Sequence, residues 1–402
     1  MSAALDALDE LRTPGGWLLA SSGEGRFASL FGRDALVASL QVLAVDPSVA
    51  DATLEVLGRE LGRTYDPVTC EEPGRVLHEW RRADLDAYIA HGWPVRDGEL
   101  RYYGSVDAGC WFLVVAAALV RAGVPGAVAR HGEAAGRVAE WLARRPMPLH
   151  YEGVASGGLL HQWWRDTAGD RTGDGHGVFD DDGWPLGSCV AAGAVQALAW
   201  RALTEHASVF ADPSSATAAA RARRCFDACF LAAPAPVGVA GATRLAARRL
   251  PAFAVEGERT VHTVTSDLGH LLWTGVLDDH PAVAERAAEA LASPELATPY
   301  GLRTLATTNP AFDPSGYHSG SIWPWDTWVG AGGLDAVAPG AGRPLADGVM
   351  AALADLGGYP ECYAVGADGG LCRVREANAR QAWTVGAAVA IDNGWDGRGW
   401  AR

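Results

Sequence analysis

Residues 161–170 read HQWWRDTAGD, two tryptophans set against an arginine and two aspartates. The pairing of indoles with carboxylates recurs. Asp180, Asp181 and Asp182 precede Trp184, Trp323 and Trp325 precede Asp326, and Glu376 precedes Trp383. Indole faces pack on the C–H faces of sugar rings, and Asp, Glu, Arg and His satisfy the hydroxyls around the rim. Repeated through predicted loops, the pattern points to a carbohydrate pocket; the competing use of any single tryptophan is to fill a large core. Cleaving a glycosidic bond takes two carboxyl groups, one to protonate the leaving oxygen and one to activate water or attack the anomeric carbon. The acid must stay protonated near neutral pH, which a partly dry aromatic setting promotes. Asp166 meets the aromatic part of that requirement. Arg165 opposes it unless its side chain points elsewhere or binds substrate. A second carboxylate must come from a distant loop. Glu361, in GGYPECY, lies between helices, although its local sequence alone reads more readily as a surface glutamate.

The elements that position these groups are helical. Apolar periodicity predicts helices over 34–46, 49–62, 82–91, 106–122, 126–144, 187–206, 215–232, 265–277, 281–293, 320–333, 343–355 and 380–392. Turn signals separate many of them: DPS at 46–48, AGVPG at 122–126, ADPSS at 211–215 and DDHP at 278–281. Asp46 or Ser48 is placed to cap the helix that follows. Strands are scarce, and no linker or low-complexity run divides the chain. Helix pairs alternating with long connections at 64–81, 146–185, 232–264 and 294–319 predict an all-α, (α/α)6 toroid in a single domain over 1–402. Its inner helices are apolar nearly all round, as CWFLVVAAALV (110–120) is. The long connections gather at one end and carry the function.

Composition narrows the chemistry. The formal net charge of −15 disfavours nucleic acid or an anionic membrane as partner. All 33 basic residues are arginine, so lysine Schiff bases, a pyridoxal phosphate anchor and P-loop or kinase lysines are excluded. No apolar stretch is long enough to span a membrane, and the acidic start lacks the order of a signal peptide; a soluble cytoplasmic protein without cofactor is expected. Seven cysteines show no disulfide spacing, and Cys225 and Cys229 read as core residues rather than metal ligands. DRTGDGHGVFDD (170–181) has oxygen residues in a calcium-loop order but Asp181 at its last position, and reads better as an acidic lid than as a metal site. Histidines 78, 161, 176, 270 and 318 lack zinc-type spacing. His78 and Glu79 fit either a pocket lining or a structural pair.

FGRDALVASLQVLAVDP (31–47), EEPGRVLHE (71–79), YYGSVDA (102–108), QWWRD (162–166), SDLGHLLWTG (266–275), YHSGSIWPWD (317–326) and YPECY…CRVREANARQAWTVGA (359–387) occur in this order. Together they resemble the amylo-α-1,6-glucosidase or glycogen-debranching family, within the (α/α)6-barrel glycoside hydrolases. The resemblance covers about residues 15–392 and implies an inverting α-glucosidase. It makes Asp166, in Trp164-Arg165-Asp166, the general acid, and Glu361, ahead of Gln381-Ala382-Trp383-Thr384, the general base. It implies that Arg33, Asp34 and Asp107 hold the non-reducing glucose, with Trp164 and Trp383 in the pocket and Tyr317, His318, Trp323 and Asp326 framing it. Asp170 is the alternative acid. The sequence departs from the family at PLGSCVAAG (185–193), where Val190 and Ala192 replace a Glu and a Gln, and at Arg165, where the family has lysine. A polymer-holding N-terminal domain, which the family often carries, is not expected from these residues. An α-glucoside, polymeric or a small glucosylated metabolite, is therefore the expected substrate. The other readings are a sugar epimerase or isomerase of the α/α-barrel type and a silent sugar-binding homologue.

Overall fold

Short turns follow buried helices and long excursions precede them, and this alternation sets the architecture. The computed structural model describes residues 2–22, 27–154, 156–168, 177–231 and 250–399. α1 (Ser2–Asp9) is followed by the pair α2 (Gly32–Val42) and α3 (Pro47–Arg59), then by the short α4 (Asp86–Ala90). Four more pairs follow: α5 (Ala108–Arg121) with α6 (Ala127–Arg144), α7 (Gly193–Val209) with α8 (Pro213–Phe226), α9 (Asp267–Thr274) with α10 (Pro281–Leu291), and α11 (Pro324–Val337) with α12 (Arg343–Leu356). α13 (Ala382–Asp392) is the last helix.

Among the described residues α2, α5, α7, α9, α11 and α13 touch in that order, and α13 returns to α2. Every residue of α2 and α9 is buried, as is α5 from Ala108 to Leu119. A helix apolar on all sides needs neighbours on all sides, and the ring supplies them. The partners α3, α6, α8, α10 and α12 form an outer layer, and α1 packs on α13 in the remaining outer place. The expected (α/α)6 toroid is the observed one.

The turns work as their sequences predict. Asp46 caps α3 by accepting from the Ser48 N–H at 3.0 Å, and Asp212 caps α8 by accepting from the N–H groups of Ser214 and Ser215. Because inner helices lead into short turns, the long connections all arrive at inner-helix N-termini. They therefore share one mouth, and they are knitted together around it. Strand Leu30–Phe31 pairs with Glu79–Arg81, joining the loops ahead of α2 and α5. The Val106 N–H donates to the Gln162 carbonyl, joining those ahead of α5 and α7. Strand Cys189–Ala192 pairs with Ala254–Glu256, joining those ahead of α7 and α9. Bridges Thr265 to Leu305, Ile322 to Tyr363 and Ser21 to Gln381 complete the circuit.

Several predicted boundaries shift by three or four residues, as at Pro324–Val337 against 320–333; two helices are cut back further, and one was not expected. The helix predicted over 187–206 begins at Gly193, because Cys189–Ala192 is drawn into a sheet with Tyr151–Glu152 and Ala254–Glu256. The one predicted over 82–91 shrinks to α4, which has no buried residue to anchor it. α1 has no counterpart among the predicted helices; it is held by Ala4, Ala7 and Leu8, all buried in the cluster that includes Val385 and Val389 of α13. No described helix is long and apolar enough to cross a membrane.

Candidate active site

Inner-helix N-termini supply most of the polar groups at the mouth. Arg33 and Asp34 open α2, Asp107 precedes α5, Asp267 opens α9, Asp326 lies in the first turn of α11, and Gln381 precedes α13. The positive end of a helix dipole favours carboxylates in these places. Gly32 lets α2 enter tightly: a Cβ there would lie 2.0 Å from the Leu77 carbonyl oxygen.

Arg33 is the centre of a charge cluster. One terminal nitrogen bonds Asp166; the other lies 3.3 Å from Asp107 Oδ1, and Nε approaches Asp34 Oδ2 at 4.0 Å. Ser105 Oγ donates to Asp107 Oδ1 at 2.6 Å, and Gln381 Nε2 donates to Asp34 Oδ1 at 3.0 Å. Burial pushes the Asp34 carboxyl up to about 7 despite the nearby guanidinium. Three carboxylates around one cation disfavour full ionisation.

Asp166 sits on a hairpin formed by strands Leu159–His161 and Thr167–Ala168, whose register is irregular. Its side chain is 25% exposed. Burial raises its pKa, with the charge of Arg33 acting in the opposite sense. The neighbouring Arg165 turns away from it. Fully buried, Arg165 donates to Asp267 Oδ2 at 2.8 Å, to the His318 carbonyl at 3.0 Å, to the Thr304 carbonyl at 2.8 Å and to Ser266 Oγ at 3.2 Å. The side chains of Asp166 and Arg165 are thus engaged by different partners.

Glu361 is buried, not a surface residue. Tyr317 donates its hydroxyl to Glu361 Oε1 at 2.6 Å; the Asn378 N–H and side-chain amide donate to Oε2 at 3.0 and 3.3 Å. Burial and the charge of Glu361 push the Tyr317 phenol well up, and Asp166 acts in the same direction. Tyr317 therefore lies within electrostatic reach of both carboxylates.

Aromatic rings fill the space behind these groups. Trp164 lies parallel to His270 and edge-on to His318, Trp323 and Trp325. His318 stacks on Trp323 at 4.9 Å, and Trp325 stacks on Trp383 at 5.0 Å. Burial, then the charges of Arg165 and Arg33, push the His318 imidazole well down, so it is neutral near pH 7. Asp326 is fully buried and bonds His270 Nε2 at 2.7 Å, behind Trp164. Asp170 and most of the calcium-like stretch lie outside the described residues. Asp180 and Asp181 at its end are engaged by Arg259, the Trp184 N–H, the His262 N–H and Thr263. Asp267 and Asn378 were not singled out in the sequence, although SDLG and ANARQAW contain them, and Gln381 was named only as part of the motif after the base.

Residues 185–364 match the mannosylglycerate hydrolase MGH1-like glycoside hydrolase domain. The likeness is to glycoside hydrolases. The matched stretch includes Asp267, Tyr317, His318 and Glu361 and begins after the hairpin that carries Asp166. No curated protein sequence matches the chain significantly. Among solved structures, the GH63 mannosylglycerate hydrolase from Thermus thermophilus, in complex with Tris and D-glycerate, shares the fold at a TM-score of 0.66 and 15% identity. That match covers 100% of this chain and 99% of the other. The same enzyme in complex with glucose gives 0.65 and 14%, with the same coverage. A protein described as a wild-type glycosidase gives 0.59 and 14%, over 98% of this chain and 95% of that one. The solved structures share the (α/α)6 fold, the domain match over residues 185–364 carries the likeness to glycoside hydrolases, and neither is specifically a likeness to glycogen-debranching enzymes.

Proposed function

We propose that the protein is an inverting glycoside hydrolase, a single catalytic domain that releases a terminal α-linked glucose from a small α-glucoside. The observation that carries this reading is the pair of carboxylates on separate loops of one mouth, Asp166 before an aromatic wall and Glu361 oriented by Tyr317 and Asn378. Asp166 donates its proton to the glycosidic oxygen. Glu361 takes a proton from a water attacking the opposite face of C1, giving β-glucose. An inverting pair stands about 6.5–9.5 Å apart to admit that water.

Two buried donors at the site support a hydroxyl-rich ligand. Arg33 Nε and Trp383 Nε1 have no hydrogen-bond partner among the described residues, and a buried donor left unpaired costs about 1–3 kcal/mol. Sugar hydroxyls would satisfy them. An epimerase would need paired histidines open to substrate, whereas His270 is bonded to Asp326 and lies against Trp164.

Proton NMR of the purified protein with isomaltose, panose, maltose, trehalose, a limit dextrin, glucosylglycerate and mannosylglycerate tests the proposal. The expected result is initial release of β-glucose from one or more glucosides, lost in Asp166→Asn and Glu361→Gln. Release from mannosylglycerate alone would replace glucose by mannose. Release of α-sugar would refute inversion, and sugar binding without turnover of any compound would favour a silent binder.

A further inference from the structure

We infer that Asp267 is the positioning residue that fixes the acid hairpin, and so sets where Asp166 delivers its proton. The inference rests on the reading of Asp166 as general acid. Trp164 and Arg165 immediately precede Asp166, and Asp267 grips both. Its Oδ1 accepts from Trp164 Nε1 at 2.8 Å; its Oδ2 accepts from Arg165 Nε at 2.8 Å and from Thr265 Oγ1 at 2.9 Å. Residues 162–166 form the turn beyond the last strand pair, His161 with Thr167, of a short hairpin whose register shifts between Leu159 and His161. Its geometry is imposed from outside, by a carboxylate at the start of an inner helix.

The rest of the anchoring converges on the same point. Arg165 Nη1 and Nη2 reach the carbonyls of His318 and Thr304 and the Ser266 hydroxyl. The acid hairpin is thereby tied to the loops ahead of α9 and α11, the latter bearing Tyr317, which bonds Glu361. The Arg165 guanidinium also lies 4.2 Å from the Trp164 ring centre. Buried charge pairs are costly unless every group is satisfied, and here each carboxylate oxygen of Asp267 has a donor. A misplacement of about 1 Å in a reacting group can cost about 10²-fold in rate.

A residue that positions only the acid should matter only where an acid is needed. Hydrolysis of an O-glycoside needs its leaving oxygen protonated. In a glycosyl fluoride the C–F bond breaks to give fluoride with little protonation, while Glu361 still takes the proton of the attacking water. The test compares wild type, Asp166→Asn, Asp267→Asn, Trp164→Phe and Glu361→Gln on the O-glycoside and the glycosyl fluoride of the sugar released. For Asp267→Asn the ratio of kcat on O-glycoside to kcat on fluoride should fall about 10²-fold, in the direction of Asp166→Asn, with little change in KM. Trp164→Phe removes the indole N–H that Asp267 accepts, together with part of the ring, and should lower the ratio in the same way, which keeps the test open if Asp267→Asn does not fold. Equal losses on both substrates, as expected of Glu361→Gln, would overturn the proposal, as would no loss on the O-glycoside. An unchanged ratio in Asp166→Asn would instead overturn the acid assignment, and this proposal with it.

Discussion

Replacing Arg33 by methionine should move the alkaline limb of the pH–rate profile upward. Arg33 bonds Asp166 while also facing Asp107 at 3.3 Å and Asp34 at 4.0 Å. Burial lifts the Asp166 carboxyl above its ordinary range, and the Arg33 charge pulls against that rise. Two unit charges about 4 Å apart interact by about 4 kcal/mol at an effective dielectric of about 20, equivalent to about 3 pKa units. Three carboxylates share this one cation, and the Asp166 side chain is 25% exposed, so about 1–2 units is the expected share. The sign follows from the proposed role of Asp166 as general acid. The alkaline limb of kcat/KM marks loss of the acid's proton in the free enzyme, and without the cation Asp166 keeps that proton to higher pH. The assay is kcat/KM on the O-glycoside across the pH range, with Arg33→Lys as the variant that keeps the charge but not the fork. Asp34 is pushed up to about 7 by burial and titrates in the same window, so the profile is repeated in an Asp34→Asn background. A limb that stays in place in Arg33→Met, or moves down, refutes the argument that this ion pair tunes the acid.

Asp34 also carries a stability prediction. Its folded pKa of about 7 exceeds the ordinary 3.8, so between those values the folded state binds more protons and stability falls as pH rises. Asp34→Asn should flatten that slope, removing a fall of at most about 4 kcal/mol over the whole window; chemical denaturation across the window reads it, and an unaltered slope counts against a buried, reluctant carboxyl. Tyr317→Phe removes the 2.6 Å hydrogen bond to Glu361. Hydrogen bonds to charged groups contribute about 1.5–3 kcal/mol, so kcat should drop about 10- to 100-fold on O-glycoside and fluoride alike, and a loss confined to the O-glycoside would contradict a role beside the base. Gly32→Ala pushes a Cβ against the Leu77 carbonyl, where backbone must move. It should destabilise by about 1–3 kcal/mol, and a wild-type melting temperature would show that α2 enters less tightly than described. Asp212→Ala deletes the α8 cap and should lower stability by about 1 kcal/mol, as measured by denaturant midpoint.

What could be read from the sequence follows the range of the interactions involved. CWFLVVAAALV declared a helix buried on all sides because periodicity is local, and Asp46 declared a cap because its partner is two residues away. Cys189–Ala192 escaped because its alternative to helix, pairing with residues 151–152 and 254–256, is settled only when the ring closes. The site divides the same way. Trp164, Asp166 and Glu361 were visible as residue types, but their relations were not: Arg165 meets Asp267 across 102 positions, and Arg33 meets Asp166 across 133. Asp267 was hidden for this reason, since a lone aspartate before an apolar run reads first as a helix N-terminal residue. The toroid supplies the missing inference. Short turns follow inner helices, so the inner N-termini face the same mouth, and polar residues at five of the six, α7 being the exception, are gathered there however far apart they lie in the chain. Arg33, Asp34, Asp107, Asp267, Asp326 and Gln381 all occupy that position, including those whose individual contexts carried no signal of their own.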